Sequence, residues 1–343
     1  MQLKDFDFDL PKELIAQKPL PQREQSRMMV INRATKEIEH AQFKDFPEYL
    51  QKNNFLVLNN TKVIPARTWG KKDEKEIEFL FLREIEPKIW EVLCRPAKKV
   101  RLGNQIFFSF SLQAKVIKKK SEGRRVLCFN TSKVIEELKR IGYAPLPPYI
   151  KRDKSERKLK DFDLKRYQTV YAQKQGSIAA PTAGLHFTDE IIEKIKQKRI
   201  LFTFITLDVG LATFQPVRVK NIRNHKMLTE HFHINESSAQ MIQRAKKESI
   251  PVVSIGTTTV RALESAAGKE GIQSGSHSTD LFIYPGYRFK IVDRLLTNFH
   301  LPCSTLLMLT AAFAGYDLLM EAYEEAVKEK YRFFSYGDCM YIR

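Results

Sequence analysis

The sequence predicts an α/β core domain with an inserted small antiparallel β-barrel domain. Three observations predict it. Short apolar, strand-like runs alternate with amphipathic helical stretches at both ends of the chain. Between Thr68 and Tyr149 the helices almost vanish and five strand-like runs follow one another across tight turns. That same region is basic: Lys71 to Lys160 holds 24 Lys and Arg against 12 Asp and Glu, which is +12 of the chain's net +18. The boundaries drawn from this are a discontinuous α/β catalytic core over residues 1–67 and 150–343, with the basic barrel over residues 68–149.

Each element has its local reason. Ser26 to Ile31 reads as a strand, Asn32 to Lys36 as a turn and Glu37 to Phe43 as its partner strand. A short helix covers Phe46 to Gln51. Phe55-Leu56-Val57-Leu58 is a buried strand that ends in the amides Asn59 and Asn60. In the inserted region the runs are IEFLFLR, KIWEVLC, QIFFSF, LQAKVIKK and RRVLCFN, closed by a helix with Thr131 or Ser132 as cap and Gly142 past its end. Ala144 to Ile150 is a stiff proline-rich linker, and the charged stretch Lys151 to Lys165 is expected to be mobile.

The second half continues the alternation. Gly176 to Thr188, GSIAAPTAGLHFT, is a loop of small residues in which Gly176 and Gly184 allow close backbone approach. Thr188 with Asp189 and Glu190 reads as a helix start. LFTFITLDVG is β-rich, Glu236 to Glu248 is a helix capped by Asn235, and Val252 to Ile255 is a strand. Gly256 then opens a helix ending near Gly268, an arrangement that presents backbone N–H groups to an anion. Thr279 to Gly286 is read as a short strand into a turn. Thr297 to Pro302 precedes an apolar helix, and a last helix leads to Tyr331–Met340.

Composition narrows the class. At 43% hydrophobic residues the chain can bury a sizeable core, and no run of 18 apolar residues exists to cross a membrane. The acidic, aromatic start MQLKDFDFDLP is unlike a signal peptide. Cys94, Cys128, Cys303 and Cys339 are far apart, which fits reduced thiols in a cytoplasmic protein. The basic balance points toward a polyanion. There is no GxSxG elbow, no GxGxxG and no internal repeat. His231 and His233 stand two apart on one strand face, but no third metal ligand is evident nearby. Loops rich in Asn, Thr, His and Gly recur at strand ends: NNT, APTAGLHFT, GTTTVR, TDLFIYPG, TNFHLP and YGDCM. Gathered on one side of a sheet, they would make a polar pocket for a hydroxylated ligand.

These strings, with DFDFDLPKELIAQKP, VLNNTKVIPAR, PLPPYI, YQTVYA and LLTNFHLPCSTLLML, come in an order that resembles the S-adenosylmethionine:tRNA ribosyltransferase-isomerases of queuosine biosynthesis along nearly the whole chain. The resemblance implies an α/β core carrying an inserted barrel. It implies S-adenosylmethionine as co-substrate, no prosthetic group and no metal, and a tRNA whose wobble base is 7-aminomethyl-7-deazaguanine. The implied products are epoxyqueuosine, adenine and methionine. No membrane partner is expected, and the protein is expected to be a monomer.

The chemistry so implied needs a base near the sulfonium-activated ribose methylene and groups that hold ribose and adenine. Candidates for the acid–base work are His186, His300, Asp280 and Asp208. His186 is expected at the pocket, kept neutral by the helix start that follows it, with folding little affected by its loss. Candidates for holding substrate are Asn59, Asn60, Thr61, Arg67, Tyr167, Thr169, Pro181, Thr182, Gly184, Glu230, Thr257, Thr258, Arg261 and Asn298. Four positions depart from the family pattern: Asp208 stands where histidine is usual, Ala212 for glycine, Leu228 for histidine and Cys303 for lysine.

Overall fold

The computed structural model describes residues 1–152, 158–210, 217–268 and 271–343. Strands β1 (Arg27–Ile31) and β2 (Ile38–Gln42) form an antiparallel hairpin. Its turn closes because the Asn32 side chain accepts from the Ala34 N–H at 3.1 Å. After the single-turn α1 (Phe46–Tyr49) comes β3 (Phe55–Asn59), all five residues of which are buried, and then β4 (Thr61–Val63). Along β3, Phe55 and Val57 enter one apolar cluster and Leu56 and Leu58 another. Both faces of the strand are therefore covered, as its unbroken apolar run predicts.

The inserted region is a closed antiparallel barrel of six strands. They are β5 (Arg67–Lys72), β6 (Lys75–Glu86), β7 (Ile89–Arg95), β8 (Gln105–Phe107), β9 (Gln113–Lys119) and β10 (Arg124–Phe129). Alternate residues point inward: Ile77, Phe79 and Phe81 of β6, Ile106 of β8, Ala114 and Val116 of β9. Helix α2 (Val134–Ile141) adds Val134 and Leu138 to the same core. Neither Thr131 nor Ser132 caps it; the cap position is Lys133, and Thr131 Oγ1 instead accepts from the Lys133 N–H at 3.1 Å, closing the preceding turn. The chain enters and leaves the barrel at adjoining points. Arg67 and Tyr143 exchange backbone hydrogen bonds of 3.2 and 2.7 Å. Gly142 sits at this seam because a Cβ there would collide with the Pro65 carbonyl.

Part of the stretch expected to be mobile is ordered. Residues 153–157 fall outside the described residues, but α3 (Lys160–Arg166) is a helix, and Arg152 clasps Asp163 with bonds of 2.9 and 3.0 Å. Then β11 (Lys174–Ser177) pairs parallel with β4. Helix α4 (Asp189–Gln197) starts as predicted, with Thr188 Oγ1 accepting from the Ile191 N–H at 3.2 Å. Strands β12 (Leu201–Asp208) and β13 (Glu230–Ile234) precede α5 (Glu236–Lys247), capped by Asn235. After β14 (Val252–Ile255) comes α6 (Thr257–Ala266). Strands β15 (Ala267–Gly268) and β16 (Gly271–Ile272) form a small ribbon, followed by β17 (Gly275–Thr279) and β18 (Arg294–Asn298). Helices α7 (Thr305–Ala314) and α8 (Tyr316–Lys328) lead to β19 (Cys339–Ile342). No single helix among the described residues is long and apolar enough to cross a membrane.

Nine of these strands make the central sheet in the order β17-β13-β12-β3-β14-β18-β19-β1-β2. Its middle four, β12, β3, β14 and β18, run parallel. The predicted strand at Thr279 to Gly286 is absent: β17 ends at Thr279, and the backbone beyond it bonds to side chains instead of a ladder. The Leu281 N–H goes to Thr279 Oγ1 at 3.1 Å and its carbonyl to Arg261 Nε at 3.1 Å.

Candidate active site

Beyond the carboxyl ends of the parallel strands lies a small enclosed cavity, the usual place for a ligand in such a sheet. Val209 follows β12, Gly256 to Thr258 follow β14, and Thr297 to His300 end and follow β18. The small-residue loop supplies Ala180 to Ala183, the proline-rich linker Tyr149, and the segment before β19 supplies Phe334 and Ser335. Gly256 has φ of +91°, which lets the chain turn from β14 straight into α6. The α6 amino terminus thus borders the cavity with Thr257 and Thr258. Thr258 Oγ1 is buried with no hydrogen-bond partner among the described residues.

His300 is the lining imidazole. Its Nε2 is 3.0 Å from Thr297 Oγ1, and its backbone N–H donates to the Tyr323 hydroxyl at 2.8 Å. Burial pushes its pKa down to about 3, so the ring is neutral at pH 7 and its protonation is disfavoured while the cavity is dry. Asn298 is fixed from two sides: its amide donates to the Phe334 carbonyl at 2.9 Å, and its Oδ1 lies 3.3 Å from His186 Nε2. Phe334 has φ of +75°, a strained value for a side chain of its size. Its ring packs on Tyr149 at 4.0 Å, and the Tyr149 hydroxyl bonds Ser335.

Of the predicted residues, the fold brings together Pro181, Thr182, Thr257, Thr258, Asn298 and His300. His186 is a correction. It does not line the cavity: Nδ1 meets Ser26 at 2.8 Å, Nε2 meets Asn298, and Phe43 stacks at 5.3 Å. Its pKa is pushed down to about 4, chiefly by burial, with Arg23 and Arg332 adding to that and the Asn298 bond opposing it. Asp280 is another correction, since it is exposed beyond β17 and not among the lining residues.

The remaining candidates hold the frame around the cavity. Asn59 bonds both the N–H and the carbonyl of Leu207 at 3.0 Å and accepts from the Thr61 N–H, so its amide is committed to joining β3 and β12. Asn60 accepts from Thr206 at 2.6 Å. Thr61 donates to Asp208 at 2.9 Å. Arg67 spans Glu78 at 3.2 Å and the Leu146 carbonyl at 2.9 Å, tying barrel to linker. Buried Glu230 accepts from the Gly210 N–H and pairs with Arg261. Tyr167 and Thr169 are buried, and a Cβ on Gly184 would strike the Tyr171 hydroxyl.

Asp208 faces a separate open groove with His231, His233, Ser276 and Ser278, and burial raises its pKa. Gly176 allows that approach, because a Cβ there would lie 2.9 Å from the carboxylate. Among the described residues no group of three or more His, Cys, Asp or Glu could hold a metal. Of the other departures, Leu228 is half-buried, Cys303 has φ of +57° with its thiol 3.6 Å from the Leu3 carbonyl, and Ala212 lies outside the described residues. Sequence reasoning missed Tyr149, Phe334 and Ser335, although Tyr149 stood within the quoted PLPPYI string.

A mixed sheet covered on both faces, a barrel inserted after the third of its strands in chain order and a polar cavity at the carboxyl ends of parallel strands define a ligand-binding α/β protein. Residues 3–342 match the family described as queuosine biosynthesis protein, and the chain belongs to that family. A relative from Halothermothrix orenii, named S-adenosylmethionine:tRNA ribosyltransferase-isomerase, is 49% identical over the full length of both chains. The crystal structure of S-adenosylmethionine tRNA ribosyltransferase from Thermotoga maritima is 38% identical, with a TM-score of 0.56 over 99% of this chain and 100% of that one.

Proposed function

We propose that this protein is a tRNA-modifying transferase that moves the ribosyl part of S-adenosylmethionine onto 7-aminomethyl-7-deazaguanine at the wobble position and isomerises it. The products are epoxyqueuosine in tRNA, adenine and methionine. The observation that carries this is the 49% identity over the whole length to a relative of that named activity. The cavity supports it in kind. His300 on the cavity wall is placed to remove a proton from the ribose methylene beside a sulfonium, where the positive sulfur has already weakened the C–H bond; burial opposes that transfer, so bound substrate has to offset the cost of the imidazolium. The buried Thr258 hydroxyl and the α6 amino terminus suit the methionine carboxylate, and Thr182 and Asn298 suit ribose or base edges. The cavity is narrow, about 30 Å³, so an adenosyl group enters only as a wall moves. Strained Phe334 is the wall residue whose shift releases conformational energy, on the order of 1–3 kcal/mol.

The test is release of adenine and methionine from S-adenosylmethionine in the presence of tRNA carrying the aminomethyl base. Both should appear together with modified tRNA, and turnover should be unchanged by EDTA. Adenine release without tRNA modification would overturn the transfer, and loss of turnover in EDTA restored by zinc would overturn the metal-free chemistry.

A further inference from the structure

The barrel carries a surface that the cavity chemistry does not use. From Val92 to Ser121 the chain holds eight Lys and Arg and no Asp or Glu. The outward face of β8 and β9 lies within this stretch. Ile106, Ala114 and Val116 point inward, so Gln105, Phe107, Gln113, Lys115 and Ile117 point outward. Register places Lys71, Phe107 and Gln113 in one row and Gln105 beside Lys115. Phe107 is 46% exposed, Ile117 41%, Leu102 66%, and Phe110 in the β8–β9 turn 93%. The turn is well held, with Leu112 accepting from the Phe108 and Ser109 N–H groups at 3.0 and 3.1 Å. Phe110 is therefore presented to solvent by a fixed backbone.

Single exposed apolar residues need no explanation, but three on one acid-free cationic hairpin, with Leu102 just before it, do. Lys115, Lys118 and Lys119 make no ion pair among the described residues, whereas Lys120 is drawn onto Glu91 at 2.9 Å. Flat aromatic rings interleaved with uncommitted ammonium groups are what an unstacked nucleic-acid loop requires: rings for base faces, cations for phosphates.

We propose that the outer face of β8 and β9, their turn and the exposed end of β9 form the surface on which the RNA substrate docks, with Phe107 and Phe110 stacking unpaired bases, and with Lys115 and Lys118 on the face and Lys119 at the strand end meeting phosphates. This rests on the tRNA reading above and adds the surface that serves it. The test measures binding of the full chain to a fluorescent anticodon stem-loop and to a blunt RNA duplex of equal length, across a salt series. Phe107→Ala/Phe110→Ala should weaken stem-loop binding at least about 10-fold, leave duplex binding unchanged and keep the salt slope. Lys115→Ala/Lys118→Ala/Lys119→Ala should weaken both ligands and flatten the slope by up to about one unit per lost contact. Thermal unfolding of each variant guards against misfolding, which these exposed side chains should not cause. Stem-loop binding equal to wild type in both variants would overturn the docking face while leaving the tRNA reading intact. A wild-type protein that ignores RNA at low salt would overturn that reading as well. Preference for vesicles of anionic lipid over RNA would reassign the face to a membrane.

Discussion

Two buried histidines share an environment and differ in what they face. His300 looks into the cavity, while His186 stands behind Asn298 with both ring nitrogens engaged. Loss of the first should cost chemistry and loss of the second structure. His300→Gln should lower turnover on the order of 100-fold with the fold kept. His186→Ala should leave Ser26 and Asn298 without their partner in the interior and cost about 1–3 kcal/mol of stability. Adenine release measured beside thermal unfolding separates them; a stable, inactive His186→Ala protein would return the base to that position. The same two rings set an acid limit. Their folded pKa values, about 4 and about 3, lie below the unfolded 6.5, so the unfolded chain binds more protons in between. The stability they give is present above about pH 6.5 and lost as pH falls toward those folded values. Asp208 and Asp338, raised by burial, act in the opposite sense, losing their contribution as pH rises. The unfolding midpoint should therefore drop between pH 7 and pH 5, and drop less in His300→Gln. A variant curve parallel to wild type would show that His300 is not the buried neutral group described.

At the scale of elements, what could be read from sequence was what is local. Thr188 and Asn235 announce their helices because a cap bonds within three residues of itself. Five of the six barrel strands were legible as short apolar runs spaced by turns, whereas β5 (Arg67–Lys72), polar and interrupted by Gly70, was not. β19 was not, since its partners β18 and β1 are distant in sequence and nothing local distinguishes CMYI from a helix end. Asn59 shows a second limit: an amide at a strand end looks the same whether it waits for ligand or joins two strands. Here it joins them, and Asn59→Ala should strand both polar groups of Leu207 in a fully buried place. We expect a loss of roughly 2 kcal/mol or more in denaturant unfolding with turnover per folded molecule retained. Normal stability with weakened S-adenosylmethionine binding would show instead that the amide serves the ligand.

For the whole molecule, charge and composition located the barrel, but not which polar loops meet. Three of the strand-end loops, APTAGLHFT, GTTTVR and TNFHLP, converge on the cavity, whereas Asn59 to Thr61 and Asp280 do not line it. That sorting depends on strand order, which no local signal carries. The same order has a consequence for how the chain is made. β1 and β2 reach the rest of the sheet only through β19, which lies between β1 and β18. A nascent chain leaving the ribosome therefore holds its first hairpin, with the apolar side chains of Met28, Met29, Val30 and Ile31, unsheltered by its sheet neighbour until Cys339–Ile342 have been translated. At about 5–20 residues per second that wait is roughly tens of seconds. Throughout it the β1 edge that β19 will cover is unpaired, and slow translation of the second half lengthens the exposure.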